Sequence, residues 1–133
     1  MRVKPLALVV LAAATLPVSI PAFAHHGAAS YDSKKLTTLK GTVTEFRYIN
    51  PHSELFLNVV DASGKSQKWI AELVSVASLS RYGWTKNTLK PGDQISITGN
   101  AAKNGSYTMR LSKLTLPNGK VLSIELAEEY AGQ

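Results

Sequence analysis

The sequence contains no cysteine. Disulfides, iron–sulfur clusters and thiolate zinc sites are therefore excluded, and stability has to come from packing. Histidine is nearly as scarce, with three residues in 133, and aromatics make up only 8%. Long apolar runs are missing too. The longest, residues 6–20, is broken by Pro17 and falls short of the roughly 20 apolar residues that a membrane span needs. Stable membrane insertion is not expected. The common catalytic signatures are also absent: there is no Gly-x-Ser-x-Gly elbow, no His-Glu-x-x-His run and no glycine-rich phosphate loop. Glu54 and Glu72 are two carboxylates in a pattern that supplies no deep cleft for glycosidase chemistry. A non-enzymatic protein is expected.

What is present begins with Arg2 and Lys4, the interrupted apolar run, Pro21 and then Ala22-Phe23-Ala24. A basic start, a short apolar middle and a small-x-small site make a secretory signal. Residues 1–24 are read as that signal, with cleavage after Ala24 and export as the consequence. The remaining 133 − 24 = 109 residues suit one small domain. Removing Arg2 and Lys4 from the 15 basic residues leaves 13 against 9 acidic, a balance of about +4. A basic surface attracts polyanions. For an exported chain, nucleic acid is the wrong one; anionic lipid, acidic polysaccharide or an acidic protein remain.

Residues 25–36 are small and polar and read as an extended lead-in. From residue 37 the chain turns β-branched and aromatic, with Leu39, Gly41 and Val43 on one face until the alternation slips after Glu45 and Phe46 and Tyr48 take over. A bulged first strand would produce that slip. Asn50-Pro51-His52 breaks the strand. Residues 53–60 alternate again, with Leu55, Leu57 and Val59 inward, and Asp61-Ala62-Ser63-Gly64 is turn chemistry. A third strand over residues 67–73 puts Trp69, Ala71 and Leu73 on one side. Ser75 then caps a short helix carrying Val76 and Leu79, and Gly83 sits at its C-terminal end. Strands follow at residues 94–99, with Ile95 and Ile97 inward, at 106–116, carrying Tyr107, Met109, Leu111 and Leu114, and, after Pro117-Asn118-Gly119, at 120–126.

The order β-β-β-α-β-β plus a C-terminal hairpin strand is that of an all-β protein with one short helix, a small OB-fold-like barrel over residues 37–126, followed by a tail at 127–133. An SH3-like or other small barrel is the alternative. OB-type ligands usually meet the strand 2 and 3 face and the loops L12 and L45.

Several motifs together carry a resemblance: His25-His26-Gly27, Gly41-Thr42-Val43, Asn50-Pro51-His52-Ser53, Trp69 with Glu72, Leu79-x-Arg81-x-Gly83-Trp84, and Pro91-Gly92-Asp93. In these, nearly the whole of the exported part resembles a family of short exported bacterial proteins catalogued as a domain of unknown function. The resemblance implies a periplasmic protein of a Gram-negative host and brings no activity with it.

Cleavage after Ala24 would leave a free amine on His25. Amine and imidazole nitrogens suit copper, nickel or zinc, with copper(II) heading the affinity order. His25, His26 and His52, the last in L12, are the candidate metal ligands. Glu72 is read as a weak oxygen ligand or as the group that orients a histidine. Asn50, His52, Phe56 and Glu72 make up the candidate ligand-binding edge. Reach is the difficulty: a first strand of about 12 residues separates its own start from L12 by up to ~40 Å. Joining His25 to His52 requires the lead-in, up to ~36 Å long if extended, to run back beside the barrel. Against the metal reading, the paired histidines serve only as a polar start, and His52 only fixes its turn. Trp69, Tyr48, Phe56 and Trp84 are a possible stacking face, although Trp69 and Trp84 read more simply as core. A core Trp69 would lose about 3–5 kcal/mol on truncation to alanine. Arg81 is expected to pair with Glu72 or Asp93. Two functions stay open: a periplasmic binding module, in its sharp form a copper binder, or an accessory protein docking on an exported enzyme or envelope complex through Phe56 and its neighbours.

Overall fold

In a computed structural model of the chain, residues 28–124 are described. A single 3-10 turn, Ala28–Ser30, leads into β1 (Tyr31–Arg47). Then follow β2 (Glu54–Val60), β3 (Ser66–Glu72), the helix α1 (Val76–Arg81), β4 (Gln94–Ala102), β5 (Thr108–Thr115) and β6 (Val121–Ser123). The expected signal, His25 and His26, the last two residues of the expected sixth strand, 125 and 126, and the expected tail lie outside the described residues. Among the described residues no helix is long and apolar enough to cross a membrane.

The strands pair in the order β1–β2–β3–β5–β4–β1, so the hydrogen bonding closes into a ring, and β6 is added outside it on β5. All contacts are antiparallel except β3 with β5, where Ile70, Ala71 and Glu72 run parallel to Thr108, Met109 and Arg110. β1 is long because it serves two neighbours. Its first part pairs with β4 and its last part with β2, and Thr42 lies opposite both Gln94 and Asn58. The chain therefore becomes a strand at Tyr31, six residues before its apolar alternation begins. Pairing with Ala102, not local pattern, sets that start.

The interior follows the alternation. Leu55, Leu57 and Val59, Ile95 and Ile97, and Met109, Leu111 and Leu114 are all buried, with Leu79 of α1 and Trp84 closing the cluster. The slip in β1 is a bulge at Thr44, between the Val43–Leu57 and Glu45–Phe56 pairs. A second bulge explains how Leu111 and Leu114, three apart, both point inward: Ser112 is the extra residue between the pairs Thr98–Lys113 and Gly99–Leu111, and its hydroxyl donates to the Thr98 carbonyl at 3.0 Å. At that bulge β4 and β5 come so close that a Cβ on Gly99 would collide with the backbone of Arg110.

Ser75 caps α1 through its side-chain oxygen, which accepts from the Ser78 N–H, and Gly83 follows in the left-handed region at φ 82°. Trp84 is drawn under the helix by this turn, its N–H donating to the Leu79 carbonyl at 3.0 Å. Three expectations need correction. Tyr107 is about half exposed and precedes β5 instead of lying within that strand; its carbonyl accepts from the Ile70 N–H at 3.0 Å and its ring meets Trp69 at 5.5 Å. Trp69 packs against the core but is only half-buried, so it is not the interior plug; Trp84, 1% exposed, is. Arg81 pairs with neither Glu72 nor Asp93. It is exposed, and its guanidinium donates to the Ser78 hydroxyl at 3.4 Å, since Glu72 is held elsewhere and Asp93 accepts from the Lys90 N–H.

The Trp84 indole N–H is buried without an acceptor among the described residues. Truncation of Trp84 to alanine is expected to cost about 3–5 kcal/mol in urea unfolding, whereas Trp84→Phe, which removes an unsatisfied donor along with part of the ring, is expected to cost clearly less. Equal losses would mean that the N–H has a partner.

Candidate binding site at the first turn

The turn between β1 and β2 is held by side chains, not by sheet. The Tyr48 hydroxyl lies 2.7 Å from the Ser80 hydroxyl and donates toward the Val76 carbonyl at 3.2 Å. The Asn50 side-chain oxygen accepts from the Val76 N–H at 3.0 Å, tying the turn to the start of α1. Ser53, fully buried, closes it from below: its hydroxyl accepts from the Ile49 N–H and donates to the Ile49 carbonyl. The peptide bond between Asn50 and Pro51 is cis. With both ends of the turn fixed, His52 projects beside the end of β3.

There Glu72 receives it. The His52 Nδ1 lies 2.8 Å from Glu72 Oε1, and the Tyr31 hydroxyl donates to Glu72 Oε2 at 2.6 Å. Both carboxylate oxygens are thus engaged. An ionised carboxylate only accepts, so the proton sits on Nδ1, and in neutral His52 the lone pair belongs to Nε2. That arrangement orients an imidazole in the way that carboxylates orient metal-ligating histidines. Tyr31 is buried, whereas the His52 side chain is 36% and that of Glu72 25% exposed. The register adds Glu54 and Arg110 on either side of Glu72, since both lie opposite it in the neighbouring strands.

Further along the same outer face, the Arg47 guanidinium lies 4.5 Å from the centroid of the Phe56 ring and donates to Glu45 at 2.7 Å and to Glu54 at 3.4 Å. The hydrogen bond from Arg47 holds the Glu45 carboxyl below its ordinary value, and the same bond raises the guanidinium. Phe56, Trp69, Ile70 and Lys68 line a groove of about 560 Å³ beside the bulge at Thr44.

Of the residues that the sequence singles out, the structure brings together His52 and Glu72, leaves Phe56 further along the face, and gives the Asn50 oxygen to the helix. His25 and His26 lie outside the described residues. Among the described residues no group of three or more His, Cys, Asp or Glu side chains could hold a metal ion. Sequence reasoning missed Tyr31. It stands alone in a polar stretch, and its burial comes from a strand pairing 71 positions away and a carboxylate 41 positions away.

Residues 13–110 match the Family of unknown function (DUF6152). The chain belongs to this family. Matched residues include Tyr31, His52 and Glu72, so the cluster at the first turn falls within the family's own span. No curated protein matches the DUF6152 chain. Among solved structures, the crystal structure of the ZRD-deleted mutant of TiaS in complex with agmatine is similar at 20% identity and a TM-score of 0.40. The match covers 74% of this chain and 24% of that one, so the DUF6152 chain spans about a quarter of the length of the structure it matches.

Replacing Glu72 by glutamine should release the fixed proton on His52. Two-dimensional ¹H–¹⁵N spectra of the imidazole should report the Nδ1–H form in the parent and a shift toward the Nε2–H form in Glu72→Gln. Tyr31→Phe, which removes one hydrogen bond to a charged group, should cost about 1.5–3 kcal/mol in urea unfolding.

Proposed function

We propose that this DUF6152 protein is an exported, non-catalytic binding module of OB type, located in the periplasm, which takes up a copper-type ion through His25, His26 and His52. The ring order β1–β2–β3–β5–β4, with the helix between β3 and β4, supports the OB reading, as does a polar cluster at the loop where such folds meet ligands. The basic start, apolar segment and small-x-small site support export, and export supplies the free amine on His25.

One observation carries the metal reading: the hydroxyl of Tyr31 and the imidazole of His52 meet on the same carboxylate, Glu72. The start of β1 therefore lies beside L12, and the ~40 Å separation expected from a straight first strand does not arise. His25 precedes Tyr31 by six residues, a tether of at most about 20 Å. Chain length thus allows the terminal amine and ring of His25, and the ring of His26, to approach Nε2 of His52. Donors of this kind favour copper(II), and Glu72 would hold His52 in the ligating tautomer. Since amine and imidazoles must be deprotonated to ligate, affinity should fall as pH is lowered.

Copper titration of three proteins tests this: the chain beginning at His25, the same chain with one extra residue in front, and His52→Ala. Each change should weaken binding at least tenfold. Equal affinity in the extended chain removes the amine from the site, and unchanged affinity in His52→Ala removes the loop histidine.

A second reading, docking on an exported enzyme or envelope complex, is supported by the groove at Phe56, Trp69 and Ile70 and by the half-exposed Tyr107 beside it. Phe56→Ala separates the two readings. It should leave copper affinity unchanged and, if docking is the function, abolish retention of periplasmic partners.

A further inference from the structure

A different concavity, of about 550 Å³, opens on the outer side of β1, β2 and β4 and is bordered by Leu116 and Pro117 of the β5–β6 hairpin. It shares no residue with the cluster of Tyr31, His52 and Glu72. The register explains its chemistry. Lys40, Ser96 and Thr115 stand opposite one another on β1, β4 and β5, and Asn58, Thr42 and Gln94 form the adjacent row across β2, β1 and β4. These positions are out of phase with the buried Val43, Ile95 and Ile97, so both rows face outward.

The six polar side chains in these two rows keep their donors and acceptors open to the groove. Among the described residues none of the six has a hydrogen-bond partner in the protein, although four of them (Thr42, Asn58, Ser96 and Thr115) are half-buried. In the neighbouring part of the sheet several polar side chains are paired: Thr38 bonds Thr98 in the next row, Ser112 bonds the Thr98 carbonyl, and Asn100 donates to the carbonyls of Asp32 and Lys35. The lining holds one ammonium, from Lys40, and no carboxylate among the described residues. Val60, Leu116 and Pro117 add an apolar border, and Lys113 continues the cationic side, lying opposite Thr98.

We propose that this groove binds an anionic saccharide of the uronate class. Neighbouring strands stand about 4.8 Å apart and alternate residues along a strand about 6.8 Å apart, so the two rows form a grid of donors and acceptors on the scale of a sugar ring. The hydroxyls of Thr42, Ser96 and Thr115 and the amides of Asn58 and Gln94 engage the sugar hydroxyls. Lys40 takes the carboxylate, and Val60, Leu116 and Pro117 cover the C–H face. A membrane surface fits less well: anionic lipid head groups are recognised by charge, and the groove has a single lysine among five neutral polar groups. The proposal is independent of the metal reading, since neither site contributes a residue to the other.

Titrating the ¹⁵N-labelled exported chain with tetragalacturonate should give saturable shifts at the amides of Thr42, Ser96 and Thr115. The neutral tetrasaccharide cellotetraose should bind at least tenfold more weakly. Lys40→Gln, an exposed and unpaired position whose fold is checked in the same spectra, should weaken the acidic probe at least fivefold, as should Ser96→Ala combined with Thr115→Val. Binding that survives both variants, or shifts scattered over the lysines without saturation, would overturn the assignment. So would co-sedimentation with phosphatidylglycerol vesicles in the absence of any response to tetragalacturonate, which would give the face to a membrane.

Discussion

The parallel pairing of three residues of β3 with three of β5 is the contact on which the rest of the structure depends. Without it the strands would be an open sheet with β3 at one edge; with it, β3 gains a second neighbour and the sheet surrounds one core. Closure brings together segments far apart in sequence, and it sets Glu72 beside Arg110. Next to that contact, the bulge in β5 re-aims the strand so that Met109 and Leu111 face inward on one side of Ser112 and Leu114 on the other, with Gly99 close against the Arg110 backbone. A parallel pair cannot be made by a hairpin and needs a crossover. Here the crossover is α1 together with β4, and α1 buries Leu79 as it passes.

The same crossover fixes the first turn. Val76, at the start of α1, gives its N–H to Asn50 and its carbonyl to Tyr48, and the Ser53 backbone is bonded to both Leu73 and Val74. The turn is thus attached to the helix and to the segment before it at several points. A histidine on such a turn is oriented by the fold as well as by its carboxylate, which is the condition a precise ligand position requires. The order of dependence runs from ring closure to helix placement, from helix to turn, and from turn to His52.

Much of this was legible in the residues themselves, wherever a decision is local. Leu55, Leu57 and Val59 mark β2 by alternation, Ser75 and Gly83 mark the ends of α1, and the slip near Glu45 marks the bulge at Thr44. What escaped was decided at a distance. The true start of β1 depends on Ala102, and the burial of Tyr31 on Glu72. Tyr107 reads as a strand residue by type, yet its position follows from Trp69 across the β3–β5 junction. Arg81 had two carboxylates to choose from on charge alone; geometry gave one to His52 and Tyr31 and the other to a backbone N–H. The contact between His52 and Glu72 was suggested by their positions in L12 and in β3, whereas the tyrosine that completes the cluster carried no local signal.

Charge decides how the two proposed sites coexist. The sequence holds 15 Lys and Arg against 9 Asp and Glu, a surplus of 15 − 9 = +6, and the ten lysines among the described residues are all exposed. The carboxylates are mostly occupied in shaping the chain: Asp61 and Asp93 hold turns, Glu45 and Glu54 face Arg47, and Glu72 faces His52. Such a surplus draws anions to the outer face with Lys40 and would repel a cation. Beyond about 8 Å, however, salt screens that repulsion at physiological ionic strength. What a metal at His52 meets is the local field, and there the nearest fixed charge is Glu72. A single carboxylate, held by Tyr31 on one oxygen and His52 on the other and flanked by Arg110, is what a cation at that corner would meet, whereas the groove at Lys40 offers an ammonium and no carboxylate among the described residues.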